Sequence, residues 1–242
     1  MSSEITIALV RPAMLGTYGD RGNATVLEMR LRKRGIGARV LELDRDPVPA
    51  DADIYLLGGG EDGAQAAVAG DAQLRTAIGT AVQRNAVVLG VCAGFQLLGQ
   101  TFETAEGRAV DGLGVLDCTS ARRDGPRAVG EVFALPRAEL NLPTLTGFEN
   151  HGGGTWLSES LQPLARLDLG VGNGDGSGTE GAIAGRVIGT YLHGPVLARN
   201  PALADLLLGW AVGRTLEPLA MPAVDRLRAE RLAQGRGSRM RV

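Results

Sequence analysis

Apolar residues fall into short, nearly continuous runs separated by longer amphipathic stretches. Buried parallel strands joined by crossover helices produce that alternation. Ile5–Val10 reads as a buried strand, and residues 23–34 as a helix with Val26, Leu27, Met29 and Leu31 among charged positions, stopping at Gly35. Ala38–Leu43 and Ile54–Leu57 read as the second and third strands, the latter running into Gly58-Gly59-Gly60. Residues 73–84 predict a helix, and the fully apolar Val87–Val91 a fourth strand that leads straight into Cys92.

From about Leu113 the rhythm changes to short strand-like pieces at 129–135, 147–149, 164–167, Ala182–Ala184 and 186–191, separated by glycine-rich turns. This half predicts mixed or antiparallel β-structure. Asn200-Pro201 starts a last clear helix, an N-cap followed by proline at the first helical position, running through Leu203, Leu206, Leu207, Trp210 and Ala211. The fold expected is α/β: a central, mostly parallel sheet flanked by helices, with additional antiparallel β in the second half. Residues 1–220 read as one domain and 221–242 as an arginine-rich surface helix and tail, with the charge run 226–231 a solvated face. Residues 170–181, with six glycines, read as the longest flexible loop.

Composition narrows the class without changing this outline. The 242 residues carry a formal net charge of −2, so no global field draws the chain to nucleic acid or an anionic membrane. No basic stretch precedes an apolar run at the N-terminus, so no signal peptide is expected. The most apolar stretch, 86–98, is far below the roughly 20 residues needed to span a bilayer. Two cysteines, Cys92 and Cys118, do not suggest a disulfide framework, and the expected setting is cytoplasmic and reducing. No metal site is expected.

The chemistry concentrates at Gly90-Val91-Cys92-Ala93-Gly94, a Gly-x-Cys-x-Gly at a strand–helix junction. This is the nucleophile-elbow pattern with cysteine in the serine position. Glycines on either side let strand and helix approach closely, and a thiolate at a helix N-terminus meets unpaired N–H groups and partial positive charge. The Ala93 N–H points toward the position of a tetrahedral oxyanion. Cys118 has no such setting and reads as a core thiol. A cysteine nucleophile needs a base, and the two histidines are His151 and His193. His193, just beyond an apolar strand, is the preferred one. Gly58-Gly59-Gly60 can bring backbone N–H groups close to a ligand for a second oxyanion contact, or can be an ordinary glycine turn. No Walker phosphate loop is present, and Lys33 is the sole lysine.

These residues resemble the class I glutamine amidotransferases, in the branch that includes the cobyric acid synthases. Within it the similarity is greatest to the glutamine amidotransferase subunits of lipid II isoglutaminyl synthases. The segments that carry it are Gly16-Thr17-Tyr18-Gly19-Asp20-Arg21-Gly22-Asn23, Gly58-Gly59-Gly60-Glu61-Asp62, Val91-Cys92-Ala93-Gly94-Phe95-Gln96, Gly147-Phe148-Glu149-Asn150-His151-Gly152-Gly153 and Tyr191-Leu192-His193-Gly194. Together they span about residues 6–212. The resemblance implies that the chain hydrolyses L-glutamine to glutamate and ammonia through a cysteine thioester. A Mur-ligase-like partner, carrying ATP and Mg, would use the ammonia to amidate the D-glutamate α-carboxyl of lipid II in peptidoglycan synthesis. No cofactor is expected in this chain. Cys92 is then the nucleophile, His193 the base, the Gly60 and Ala93 N–H groups the oxyanion hole, and Gln96 and Arg127 the glutamine contacts, with Arg122 and Arg123 close by.

One departure stands out. The usual class I histidine is followed two residues later by a glutamate, and here that position is Pro195. Asp20, Glu149 and Asn150 are candidate supporting residues, but a carboxylate donated by the partner is the preferred replacement. Competing readings are a stand-alone cysteine hydrolase of the α/β-hydrolase kind, an amidotransferase acting on another acceptor, and a non-catalytic subunit.

Overall fold

The computed structural model describes residues 4–17 and 19–239; Tyr18, in the first of the resembling segments, and the last three residues of the tail lie outside the described residues. In chain order the elements are β1 (Ile5–Val10), α1 (Arg21–Lys33), β2 (Ala38–Leu43), β3 (Ile54–Leu57), α2 (Asp62–Ala69), α3 (Ala72–Gln83), β4 (Val87–Val91) and α4 (Ala93–Leu98). There follow β5 (Thr101–Glu103), β6 (Ala109–Asp111), β7 (Cys118–Arg122), β8 (Ala128–Pro136), β9 (Leu145–His151), β10 (Gly153–Leu157), β11 (Ala165–Leu169) and β12 (Thr179–Glu180). The chain closes with β13 (Ala182–Ala184), β14 (Val187–Thr190), α5 (Val196–Arg199), α6 (Pro201–Val212) and α7 (Pro222–Arg239).

A six-stranded sheet in the order β13-β14-β4-β3-β1-β2 forms the centre. All its pairings are parallel except β13 with β14. β4 is buried at every residue, which is why its sequence is an unbroken apolar run and not an alternation. Leu27 and Leu31 of α1, Leu74 and Ile78 of α3 and Leu203 and Leu207 of α6 are buried in the hydrophobic core with the sheet residues. The parallel strands end on one edge, so the turns after β1, β3, β4 and β14 meet there, where α/β sheets place ligands.

The second half builds two further four-stranded sheets, β10-β7-β5-β6 and β12-β11-β8-β9. Their pairings are antiparallel apart from β5 with β7. β14 is the exception to the expected division, since it leaves this half to complete the parallel sheet beside β4.

Two expectations are corrected. The glycine-rich loop 170–181 is tied down: the N–H groups of Val171 and Gly172 each donate to the Glu149 carboxylate at 2.9 Å, and Asn173 accepts from Thr155 N–H at 2.7 Å and Gly181 N–H at 2.8 Å. Its glycines serve positive backbone φ angles at Gly170, Gly172, Gly174, Gly176, Gly178 and Gly181. The charge run on α7 is not all solvated either. Arg228 reaches inward and donates to the carbonyls of Arg199 (2.6 Å) and Thr144 and to Asn200 Oδ1 (3.0 Å), pinning an otherwise polar helix to the domain.

Two glycines give opposite expectations for the same substitution. A Cβ on Gly94 would run into the Leu57 carbonyl, whereas on Gly79 in α3 it would meet nothing within 4 Å. Gly94→Ala should cost about 1–3 kcal/mol in urea unfolding, and Gly79→Ala should stabilise by up to ~1 kcal/mol. Equal effects would mean that the strand–helix approach at Gly94 is not tight.

Candidate active site

Cys92 sits between β4 and α4 with φ 53° and ψ −108°, a conformation that L side chains rarely adopt. Three strands hold it there. Its N–H donates to Thr190 O at the end of β14 at 2.8 Å, and the Gly94 N–H donates to Gly58 O after β3 at 3.0 Å. Backbone strain of this kind costs about 1–3 kcal/mol and persists only where the surroundings over-determine it. The Gly-x-Cys-x-Gly spacing follows from the packing: a side chain at Gly90 would strike Gly94 and Leu98, and one at Gly94 would strike Leu57.

His193 follows β14 by three residues, and its main chain is locked by a pair of bonds with Phe148 on β9, N–H to O at 2.8 Å and O from N–H at 3.1 Å. Its ring is 3% exposed, with Nδ1 3.7 Å from Oδ1 of Asp20, itself 2% exposed. That is the distance of an ion pair, longer than a good hydrogen bond. Burial alone would lower the His193 pKa, but the Asp20 carboxylate and the Cys92 sulfur both act on the ring and lift it to about 9. Cys92 and His193, 101 residues apart in sequence, are therefore brought together.

Asp20 stands immediately before α1, and its Oδ2 accepts the Gly59 N–H at 2.7 Å. Behind it, Asn23 Oδ1 accepts the Leu197 N–H at 3.0 Å, and Gly22 leaves room for the Pro195 ring. Residues 20–23 thus form the wall against which the His193–Leu197 turn is built. Pro195, where a glutamate was expected, packs on that wall.

Glu149 does not reach His193. Its carboxylate holds the loop after β11 and lies 3.5 Å from Nε2 of the other histidine, His151. The His151 ring stacks on Tyr191 with centroids 4.0 Å apart, and its Nδ1 is 2.8 Å from Gly153 O. This arrangement makes His151 a buried wall residue. Cys118 is also buried, and burial together with Asp117 pushes its thiol up to about 12, which suits a core position.

A cavity of about 340 Å³ opens over Cys92. Gly60, Ala93 and Gln96 line it near the sulfur, and Arg122, Arg123 and Arg127 line it from β7 and the following turn. Arg127 is oriented by Asn150, with Nε donating to Asn150 Oδ1 at 2.6 Å and the guanidinium to Asn150 O at 3.1 Å. Glu61, Asp62 and Glu103 add carboxylates to the same wall. Cations and anions in one small cavity suit a zwitterionic amino acid. Gln96 is held by a buried relay: its Oε1 accepts from Gln65 at 3.0 Å, and its Nε2 donates to Tyr191 OH at 3.0 Å, which bonds Thr155 Oγ1 at 2.7 Å. The sequence reading missed Gln65, Tyr191 and Thr155 as members of the site. Their only shared signal is polarity at positions that the topology buries.

The model of the CobB/CobQ-like glutamine amidotransferase domain matches residues 6–201. The chain is 32% identical over 235 residues to the lipid II isoglutaminyl synthase (glutamine-hydrolyzing) subunit GatD of Streptococcus pneumoniae, covering 96% of this chain and 90% of the relative. It is 32% identical over 225 residues to the same subunit of Staphylococcus aureus, covering 92% and 90%. Among solved structures, a glutamine amidotransferase from Thermotoga maritima superposes with a TM-score of 0.55 at 16% identity, over 94% of this chain and 93% of that one. With the family model matching four-fifths of the chain and the Cys92 elbow at the meeting of three strands, the chain belongs to the CobB/CobQ-like glutamine amidotransferases, an α/β enzyme of the class I glutaminase fold.

Proposed function

We propose that this chain is the glutaminase subunit of a lipid II-amidating synthase, releasing ammonia from L-glutamine for a Mur-ligase-like partner. The near full-length match to two GatD subunits supports that acceptor. The chemistry of the site supports the glutaminase half. Cys92 Sγ attacks the side-chain amide carbon of glutamine with its proton held on His193. The Gly60 and Ala93 N–H groups stabilise the oxyanion. His193 returns the proton as the C–N bond breaks, leaving a thioester and free ammonia. Water, deprotonated by His193, then cleaves the thioester to glutamate and restores the thiol.

Arg127, held by Asn150, takes the α-carboxylate of the substrate, and Gln96 contacts its amide end. Asp20 is the carboxylate that orients His193, a role that the sequence alone favoured giving to the partner. ATP and Mg belong on the partner, which activates the D-glutamate carboxyl; the ammonia formed here is its nucleophile. The subunit serves a partner whose acceptor is a lipid-linked precursor, without itself inserting into the bilayer. Among the described residues no helix is long and apolar enough to cross a membrane.

Glutaminase activity should fall at least ~10³-fold in Cys92→Ser. The His193 pKa is raised, so the imidazolium is present below it and lost as pH climbs through about 9; kcat should fall over that range. Asp20→Asn removes an interaction that raises this pKa, and the alkaline limb of the kcat profile should move to lower pH. An unmoved limb would give the orienting role back to the partner. Mixed with the Mur-ligase-like subunit, ATP and lipid II, the wild-type chain should support glutamine-dependent amidation, with Cys92→Ser active only on added ammonia. Amidation equally fast with no partner present would sink the two-subunit reading.

A further inference from the structure

Glu180 is a fully buried carboxylate that the proposed reaction does not use. It ends the two-residue strand β12, and Gly181 with φ 63° turns the chain immediately after it. One oxygen, Oε1, accepts both the Thr190 hydroxyl and the Tyr191 N–H, the latter at 3.0 Å. The other, Oε2, has no hydrogen-bond partner among the described residues.

The two residues it clasps are those from which the site hangs. The Thr190 carbonyl receives the Cys92 N–H at 2.8 Å. Thr190 Oγ1 in turn accepts the Leu192 N–H at 3.1 Å, tightening the turn that leads to His193. The Tyr191 hydroxyl receives Gln96 Nε2. A displacement of this segment would therefore reach Cys92, His193 and Gln96 together.

We infer that Glu180 is a positioning residue for the reaction, its carboxylate fixing the Thr190–Tyr191 main chain and, through it, the Cys92–His193 geometry. This rests on the glutaminase reading of the same site. A buried carboxylate accepts an N–H and an O–H more strongly when ionised than when protonated, so the clasp tightens as Glu180 loses its proton. Burial is the largest influence on that step and pushes the pKa to about 7, with the Thr190 and Tyr191 bonds opposing it and the neighbouring Glu149 charge adding to it. The groups facing Glu180 are Glu149 from β9, Ala165 directly opposite on β11, and Tyr191 after β14. The sign for stability is the reverse of the usual ion-paired carboxylate. A folded-state pKa above the unfolded value makes ionisation a cost that grows as pH rises from 4.5 and is complete above about 7. A glutamine here should then lose activity without losing stability at pH 8.

The test uses the full chain and two readouts, glutamine hydrolysis and alkylation of Cys92 by iodoacetamide followed on its peptide, from pH 5.5 to 8.5 (assay range, roughly centred on the carboxyl's titration). Wild type should gain rate in both through about pH 7. Glu180→Gln should lack that rise, with kcat at pH 8 lower by about tenfold or more, KM within about twofold and an unlowered thermal midpoint. Thr190→Val removes the clasp from its other side and a bond that holds the Glu180 pKa down, so its rise should be smaller and shifted to higher pH, while Thr190→Ser keeps the hydroxyl and should restore the wild-type profile. If Glu180→Gln does not fold, the Thr190 pair carries the test. Wild-type rates and pH profiles in Glu180→Gln, or in Thr190→Val, overturn the inference. Should Glu180→Gln alter the alkylation profile while wild type does not hydrolyse glutamine, the glutaminase reading fails and the clasp stands.

Discussion

The turn at Cys92 can exist only because three parallel strands end together around it. Its backbone lies in a region that costs energy, and nothing in the local sequence offsets that cost. What holds it is the pair of bonds to its neighbours, Cys92 N–H to Thr190 O and Gly94 N–H to Gly58 O. β3 and β14 thus do more than complete a sheet. They clamp the strand end between them, and each continues into a segment of the site: Gly58–Gly60 on one side, Tyr191–His193 on the other.

The same constraint explains the placement of the remaining groups. Asp20 bonds the Gly59 N–H while facing His193, so one carboxylate ties the turn after β3 to the ring after β14. The second-half sheets supply the outer wall. Their strand β9 carries Phe148, whose main chain locks His193, together with Asn150, which orients Arg127, and His151, which backs Tyr191. The chain from Leu113 onward is therefore not an appendage: it builds the arginine-bearing wall of the cavity and carries His193, while Cys92 belongs to the first half.

Much of the fold was legible because burial on both faces writes a strand as an unbroken apolar run. β1, β3 and β4 lie at their expected bounds for this reason, and β2, a half-exposed edge strand interrupted by Arg39 and Glu42, lies at its expected bounds without it. What was missed had weak signals. α2 is an alanine- and glycine-bearing helix, DGAQAAVA, with little apolar periodicity, and β5, β6 and β7 are short strands with exposed or polar residues. The loop at 170–181 looked flexible from its glycines, because composition cannot reveal that Glu149, more than twenty residues earlier, would bind its N–H groups. The Arg228 anchor was hidden for the same reason, since its partners are carbonyls on other elements.

The sequence by itself determined the α/β class and the Cys92 elbow, because each is a local pattern of glycine, apolar run and reactive side chain, and it preferred His193 to His151 as the base. It also brought Asp20, Glu149 and Asn150 to notice without ranking them. Only the tertiary structure separated them: Asp20 faces His193, Glu149 faces His151, and Asn150 holds Arg127. It alone revealed that Gln65, Tyr191, Thr155 and Glu180 brace the site. The reason is physical. A strand end and its glycines are specified by neighbours in sequence, whereas the partner of a buried polar group is chosen by which distant segments the packed sheet brings within hydrogen-bonding distance.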